Sequence, residues 1–236
     1  MQIEDSTIEI KQGNKKVPLH PMKPFDEIIT GPTSCHILQV VDDLNFIQPT
    51  QIQCQVIPTL CNSDEKPNLM VQAPLGSGKT ISFMISMLLH VNFEQNNLQA
   101  ICVCQNNDVS IQKFNIFEQM NKYTRFKVAI CPSNTQENEN PPDKDVQVIF
   151  GTPNSINYSI KKGFLDVSNV NLVVIEDAEE LINKKSKMHD ATIQLLQKNL
   201  PQNAQFAFFS TQFASANIDW INKSRPNAIL IRQKQH

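Results

Sequence analysis

The sequence predicts one α/β domain built on a mainly parallel, doubly wound sheet of seven strands with helices on both faces. Seven short apolar runs recur along the chain, and several are unbroken and rich in Val, Ile or Phe, as in strands buried on both faces. Segments long enough for crossover helices lie between several of them. The 236 residues suit one large core better than two smaller ones.

Each predicted element follows from this alternation. The apolar runs, in chain order, are Leu69–Ala73, Ala100–Cys104, Phe126–Cys131, Val146–Phe150, Leu172–Ile175, Phe206–Phe209 and Ala228–Ile231, and the clearest helical segments are Thr80–His90, Asp108–Lys122 and Met188–Leu200. Residues 1–24 are polar and end in three closely spaced prolines, which indicates an extension before a domain at residues 25–236. In a doubly wound sheet, ligands bind beyond the carboxyl ends of the strands.

The composition excludes several classes of function. A net charge of -2 argues against binding nucleic acid through a broadly basic surface, so any contact with nucleic acid must be local. No apolar run approaches the roughly 18 residues of a membrane helix, and we expect no membrane contact. The six cysteines form no CxxC pair, so zinc-ligand spacing is absent.

A glycine-rich segment joins the first of these strands to the helix that follows. It consists of Ala73, Pro74, Leu75, Gly76, Ser77, Gly78, Lys79 and Thr80, and it holds two of only six glycines in the chain. This is the context of a P-loop, in which backbone N–H groups and a helix N-terminus bind phosphates. We expect Lys79 to contact the outer phosphates of ATP and Thr80 to ligate Mg²⁺. The alternative is a tight strand-to-helix turn with a solvent-facing lysine.

The segment from Phe46 to Gln53 reads FIQPTQIQ and resembles the adenine-binding Q motif of the DEAD-box RNA helicases. The resemblance covers Phe25 to the C-terminus and implies a RecA-like form of the predicted sheet. It implies that Gln48 and Gln53 bind the base, and an amide offers the donor and acceptor that adenine's edge requires. Phe25 is similar to the aromatic residue that stacks on the base.

Three further segments resemble motifs of the same family. They are Val174–Glu179 at the end of an apolar strand, Ser210-Thr211-Gln212 after the next strand, and Gly151-Thr152-Pro153-Asn154. By resemblance, Glu176 holds Mg²⁺, Asp177 orients the attacking water, Ser210 and Thr211 couple nucleotide to RNA, and Thr152 and Pro153 touch the RNA backbone. Lys66–Gln72, Gly163–Asp166 and Leu200–Gln205 resemble an mRNA-export branch of the family.

The acidic motif departs from the family order, because Glu176 and Asp177 stand where the family has Asp and Glu. Because Glu is one carbon longer than Asp, each carboxylate lies about 1.5 Å from the position it would have in the family. A catalytic group misplaced by about 1 Å can reduce the catalytic rate roughly a hundredfold. We therefore expect nucleotide binding to survive better than hydrolysis. The alternative for this cluster is a solvated helix start, because acids favour helix N-termini.

Two other departures weaken the expected activity. Asn106 and Asn107 occupy the place of charged residues in the family's next motif, so RNA binding, to a single strand, should be weak. The chain ends shortly after the seventh apolar run, without the second RecA-like domain of the family. In the family, that domain supplies arginines to the nucleotide. In other nucleotidases such an arginine raises the rate of hydrolysis by about 10³ to 10⁵, so we expect slow turnover by this chain alone.

The sequence therefore favours the N-terminal ATP-binding domain of a DEAD-box-type RNA helicase, with hydrolysis coupled to RNA binding or unwinding. The resemblance implies a nucleoporin and an mRNA-export activator as partners, and a location in cytoplasm and nucleus or at the nuclear pore. The alternative is a degenerate, non-catalytic module that binds nucleotide or partners as a regulatory or structural subunit.

Overall fold

One sheet of nine strands organises the described part of the chain. The computed structural model describes residues 8–13, 15–61, 65–132 and 141–234. Its strands are β1 (Ile8–Gln12), β2 (Lys15–Lys16), β3 (Leu69–Gln72), β4 (Ala100–Val103), β5 (Val128–Ile130), β6 (Val148–Gly151), β7 (Leu172–Ile175), β8 (Gln205–Ser210) and β9 (Ile229–Gln233). They lie in the order β2-β1-β9-β3-β8-β7-β4-β6-β5, and the pairs from β9 to β5 are all parallel. The predicted α/β class is confirmed.

The predicted count of seven strands is too low, because the N-terminal segment adds β1 and β2. Strand β1 runs antiparallel to β9, with its register set by Ile8 opposite Gln233 and Gln12 opposite Ile229. Ile10 lies between two charged residues and is 4% exposed, so its side chain packs into the core while the backbone of β1 pairs with β9. Residues 1–7 and 14 of the predicted extension lie outside the described residues, and the boundary at residue 25 stays a prediction.

Helices cover both faces of the sheet. They are α1 (Phe25–Ile28), α2 (Ser34–Asp43), α3 (Gln51–Cys61), α4 (Lys79–His90), α5 (Asn107–Met120), α6 (Pro153–Lys161), α7 (Ala178–Leu181), α8 (His189–Gln194) and α9 (Ser215–Ser224). The helix predicted at Met188–Leu200 is α8 followed by a π-helical turn, Leu195–Asn199. No helix within the described ranges is long and apolar enough to cross a membrane.

Alternating strand residues divide the core into two layers. In β3, Leu69 and Val71 pack with α1 to α5, whereas Met70 packs with α6, α7 and α9 on the other face. Phe83 of α4 and Phe209 of β8 meet in the first layer with ring centroids 5.1 Å apart. Both faces of the central strands are therefore dry, which explains why their sequences are unbroken apolar runs.

The sheet order determines where the polar loops meet. Strands β3, β8, β7 and β4 are consecutive neighbours and parallel. The segments that begin at Ala73, Thr211, Glu176 and Cys104 therefore leave the same edge of the sheet, side by side. This edge is where a doubly wound sheet binds its ligands.

Candidate functional site

The loop between β3 and α4 depends on glycine at position 78. Gly78 caps α4 with φ +95°, a left-handed conformation that L side chains rarely adopt. A Cβ at this position would lie 2.7 Å from Thr50 Oγ1 and 2.8 Å from Gln53 Nε2. Because both distances are shorter than a van der Waals contact, only glycine allows the start of α3 to pack against this loop.

The start of α3 is also hydrogen-bonded to the loop. Thr50 Oγ1 donates to the Ser77 carbonyl oxygen at 2.8 Å, and the Thr50 N–H donates to Gln53 Oε1 at 2.8 Å. Gln53 is only 5% exposed, and its amide oxygen accepts the hydrogen bond from Thr50, whereas Gln48 is exposed. Gln48 is consequently the better placed of the two predicted glutamines to meet a ligand.

A cleft of about 510 Å³ lies between this loop and the ends of β7 and β8. Its lining joins ten predicted site residues to four others: Phe46, Gln48, Thr50, Gln53, Leu75, Gly76, Gly78, Lys79, Thr80, Ile81, Lys113, Glu176, Asp177 and Thr211. A larger depression of about 720 Å³ lies elsewhere, near Asp43 and Lys122, but it lacks the converging strand ends. The cleft, therefore, is the candidate site.

Lys79 lies over the loop and does not extend into solvent. Its Nζ donates to the carbonyl oxygens of Ala73 and Pro74, the latter at 2.9 Å. Partial burial lowers the pKa of Lys79, while the nearby Glu179, Asp177 and Glu176 carboxylates oppose that shift. The ammonium group is thus held at the mouth of the loop, as phosphate binding requires, and the solvent-facing alternative does not describe it.

The acidic motif begins at the end of β7. Glu176 is 7% exposed, so it is not part of a solvated helix start. Asp177 precedes α7 in the left-handed region, with φ +50° and ψ +48°. For a residue other than glycine this conformation costs roughly 1–3 kcal/mol, and such strain is concentrated at functional sites. Both carboxylates line the cleft, but their predicted catalytic roles stay predictions.

Lys113 of α5 is a site residue that the sequence reasoning missed. Its Nζ lies 2.6 Å from Glu176 Oε1 and 3.3 Å from Thr80 Oγ1, and the Lys113 and Glu176 side chains are 12% and 9% exposed. Burial raises the pKa of Glu176, and the Lys113 ammonium opposes that rise. The signal was available, because Ser110 and Phe117 flank Lys113 at helical spacing and both are buried. The face that carries Lys113 therefore points inward.

Glu179 belongs to the predicted acidic motif, but the sequence does not predict its contact with Thr211. Its Oε1 accepts hydrogen bonds from the Thr211 N–H at 3.0 Å and from Thr211 Oγ1 at 2.8 Å. The adjacent Ser210 is fully buried, and its hydroxyl has no hydrogen-bond partner among the described residues. The serine motif thus connects to the acidic motif through Thr211. The expected coupling role of the two hydroxyls stays a prediction.

The predicted RNA-contact residues stand at the starts of α5 and α6, after the adjacent strands β4 and β6. Asn106 caps α5 by accepting from the Val109 N–H at 2.9 Å, and Asn107 is exposed beside it. Thr152 caps α6 by accepting from the Ser155 N–H at 3.2 Å, with Pro153 as the first helical residue. Capping of the two helices is enough to explain why Asn106 and Thr152 stand at these positions, so their contact with RNA stays a prediction.

Some predicted residues lie apart from the cleft lining. Phe25 is 6% exposed and belongs to the core under α1, whereas Phe46 lines the cleft. Stacking of a base on Phe25 stays a prediction, and Phe46 is the aromatic residue that a ligand would meet first. Ala73, Pro74 and Ser77 belong to the same loop but are not among the residues that line the cleft.

The parallel sheet and the glycine-capped loop at its carboxyl edge define an α/β domain of the P-loop type. The family model described as DEAD/DEAH box helicase matches residues 50–219. The chain belongs to the DEAD/DEAH box helicase family.

Curated relatives point to one branch of that family. The chain is 29% identical over 218 residues to the ATP-dependent RNA helicase DBP5 of Candida glabrata, which covers 92% of this chain and 42% of that protein. It is 28% identical over 216 residues to the ATP-dependent RNA helicase ddx19 of Dictyostelium discoideum, covering 92% and 44% respectively. The chain therefore spans less than half the length of these relatives.

Solved structures agree with this placement. Saccharomyces cerevisiae Dbp5 bound to RNA and ADP BeF3 superposes with a TM-score of 0.79 at 27% identity, covering 90% of this chain and 52% of that one. A single-substitution variant of Dbp5 bound to Nup159, a single-substitution variant of Gle1, IP6 and ADP superposes with a TM-score of 0.74 at 26% identity, covering 83% of this chain and 51% of that one. The RecA-like form expected of the sheet is confirmed.

Proposed function

We propose that this chain is the N-terminal ATP-binding domain of a DEAD-box RNA helicase of the mRNA-export type. The observation that carries the proposal is the Gly78 cap, which lets the start of α3 pack on the loop beside Lys79. Relatives named as ATP-dependent RNA helicases, and a similar chain bound to RNA and ADP BeF3, support the same assignment.

The proposed orientation of the nucleotide follows from the cleft lining. The phosphates lie at the N-terminus of α4, where the backbone N–H groups of the loop and the Lys79 ammonium supply positive charge. The base lies towards Phe46 and Gln48, which offer an apolar face and an exposed amide. Gln53 supports this end of the cleft by fixing Thr50.

Magnesium at Thr80 and Glu176 does not fit the arrangement of the resident side chains. Magnesium binds oxygen ligands at about 2.0–2.1 Å, but the Lys113 ammonium lies within 3.3 Å of both proposed ligand oxygens. Two cations at this separation would repel each other strongly in a half-buried cleft. Glu176 Oε2 has no hydrogen-bond partner among the described residues, but the charge of this carboxylate is already balanced by Lys113.

RNA is the proposed second ligand, held as a weakly bound single strand along the starts of α5 and α6. Asn106 and Asn107 can donate hydrogen bonds to phosphate, but they carry no charge. A nucleoporin and an mRNA-export activator are proposed partners, supported by the Dbp5 complex that contains Nup159 and Gle1. A location in cytoplasm and nucleus, at the nuclear pore, is proposed with them.

A second candidate function is a non-catalytic module in which nucleotide binding regulates a partner. The ion pair between Lys113 and Glu176 favours this candidate, because Lys113 already binds the carboxylate that would hold the metal in a catalytic site. In this candidate the cleft binds nucleotide but turns it over poorly. ATP hydrolysis coupled to RNA remains the proposal for the whole protein.

Fluorescent nucleotide titration tests the proposed function. The wild-type protein should bind labelled ATP and labelled ADP. Unlabelled ATP should displace the labelled nucleotide, whereas unlabelled GTP should displace it poorly. Lys79→Ala should weaken binding by roughly 10- to 100-fold, because it removes charge-assisted hydrogen bonds to phosphate. Lys122→Ala, which changes an exposed lysine outside the cleft, is the matched control and should bind as wild type. Equal binding by all three proteins would refute the site.

A further inference from the structure

The Lys113 ammonium occupies the position between the two side chains that a metal in this cleft would need. It contacts Glu176 Oε1 at 2.6 Å and Thr80 Oγ1 at 3.3 Å. Both partners lie at the carboxyl edge of the sheet, one at the end of β7 and the other in the first turn of α4. A positive charge is therefore supplied by the chain itself, next to the loop that is proposed to bind phosphate.

The helix that carries Lys113 is well anchored. Asn106 caps its start, and Ser110 and Phe117 are fully buried on the same face. Phe117 packs on Phe150 of β6 with centroids 5.3 Å apart. Lys113 therefore extends from a fixed helix and not from a loop, and only its side-chain torsions can remove the ammonium from the site.

The chemistry of the ammonium group suits a phosphate neighbour. It carries three N–H donors, and Glu176 and Thr80 engage two of them, which leaves one for a phosphate oxygen. Lys79, from the loop, lines the same cleft as Lys113. Two lysines together supply the charge of one divalent cation.

We propose that Lys113 is a built-in cation of this site, so that the chain binds nucleotide di- and triphosphates without a divalent metal. The inference rests on the proposed function, because it assumes that the cleft binds nucleotide. It makes Lys113 a further binding residue and predicts that the metal dependence of binding is lost. An ammonium on Glu176 Oε1 also balances the charge of the carboxylate that a metal would bind, which is consistent with the slow hydrolysis expected from the sequence.

The direct test compares nucleotide affinity with and without metal. Labelled ADP and ATP are titrated into the wild-type protein in excess MgCl₂ and, separately, in excess EDTA. The expected dissociation constants in the two conditions agree within about threefold. Binding that weakens by about tenfold or more in EDTA would overturn the inference. It would show that a metal displaces Lys113.

Variants of Lys113 show whether its charge is responsible. Lys113→Met keeps the length of the side chain, and it should weaken binding in EDTA by roughly 10- to 100-fold. Magnesium should then restore much of the affinity, because Glu176 and Thr80 are no longer engaged. Lys122→Met, two residues beyond the end of α5, is the control and should bind as wild type in both conditions. Wild-type affinity of Lys113→Met in EDTA would overturn the inference.

A second variant separates loss of nucleotide binding from misfolding of the Lys113→Met protein. Lys113→Met leaves Glu176 buried without its ion pair, whereas Lys113→Met with Glu176→Gln removes both charges together. The double variant should unfold near the wild-type temperature and bind weakly in both EDTA and MgCl₂. If it binds in EDTA as tightly as wild type, Lys113 is not the cation.

The design separates the two proposals. No binding of either nucleotide by the wild-type protein in MgCl₂ or EDTA would refute the proposed function itself. Binding that requires MgCl₂ would retain the proposed function and refute only the role of Lys113.

Discussion

Replacing Gly78 by alanine tests the packing on which the cleft depends. The substitution has two costs. A residue other than glycine at φ +95° loses about 1–2 kcal/mol from its backbone conformation. The new Cβ would also lie 2.7 Å from Thr50 Oγ1 and 2.8 Å from Gln53 Nε2, and overpacking of this kind costs about 1–3 kcal/mol. We expect Gly78→Ala to reduce the free energy of unfolding by about 2–5 kcal/mol.

Gly163→Ala is the matched control for this substitution. Gly163 follows α6 with φ +73°, and a Cβ there would meet no atom within 4 Å. Only the backbone cost of about 1–2 kcal/mol applies. For a protein of this size each kcal/mol lowers the melting temperature by roughly 2–4 °C, so Gly78→Ala should melt clearly below Gly163→Ala in a thermal denaturation experiment. Equal melting temperatures would refute the argument that α3 packs tightly on the loop.

Three other changes test the acidic motif, its partner and a buried histidine. Glu176→Asp combined with Asp177→Glu restores the family order and should raise RNA-stimulated ATP turnover about tenfold or more; unchanged turnover would contradict the geometric argument. Thr211→Val removes the hydroxyl that donates to Glu179 and should cost about 1–2 kcal/mol of stability by chemical denaturation; no measurable loss would show that the bond is weak. Burial lowers the pKa of His90 below its ordinary value of 6.5. As the pH falls, His90 is therefore protonated in the unfolded chain before it is protonated in the folded protein. Stability should therefore fall as pH drops below about 6.5, and His90→Gln should flatten that dependence; an identical pH profile for wild type and His90→Gln would contradict it.

The sequence predicted the central sheet because buried parallel strands leave a strong local signal. Every predicted strand from Leu69 to Ile231 is present, since short and mostly apolar runs are typical of strands buried in a parallel sheet. Strand β1 was missed for the opposite reason. It lies at an edge, and its alternation of Ile8 and Ile10 with charged residues is too short to distinguish from an irregular segment.

The glycine-rich loop was also predictable, because its chemistry is local. Gly78, Lys79 and Thr80 are consecutive, and the strand before them and the helix after them can both be identified from sequence. Whether adenine is read by Gln48 or Gln53 could not be predicted, because both are amides in one motif. In the structure both side chains line the cleft, and Gln53, which packs against Gly78, is the more buried of the two.

The roles of Lys113 and Glu179 were missed because they depend on long-range contacts. Lys113 is 63 residues from Glu176 in sequence, and β4 and β7 must pair before the two side chains meet. Glu179 belongs to the predicted acidic motif, but its bond to Thr211 joins segments 32 residues apart. No local pattern identifies the distant residue with which Lys113 or Glu179 forms its contact. A helical-face analysis of α5 would have shown that Lys113 points inward.

A crystal structure of the protein soaked with ADP tests the central claim most directly. The account predicts that the phosphates lie on the backbone N–H groups from Gly76 to Thr80, that Lys79 Nζ leaves the carbonyl oxygens of Ala73 and Pro74 to contact them, and that the base lies beside Phe46. ADP bound at another surface, or a cleft without nucleotide in crystals soaked at saturating concentration, would contradict the account.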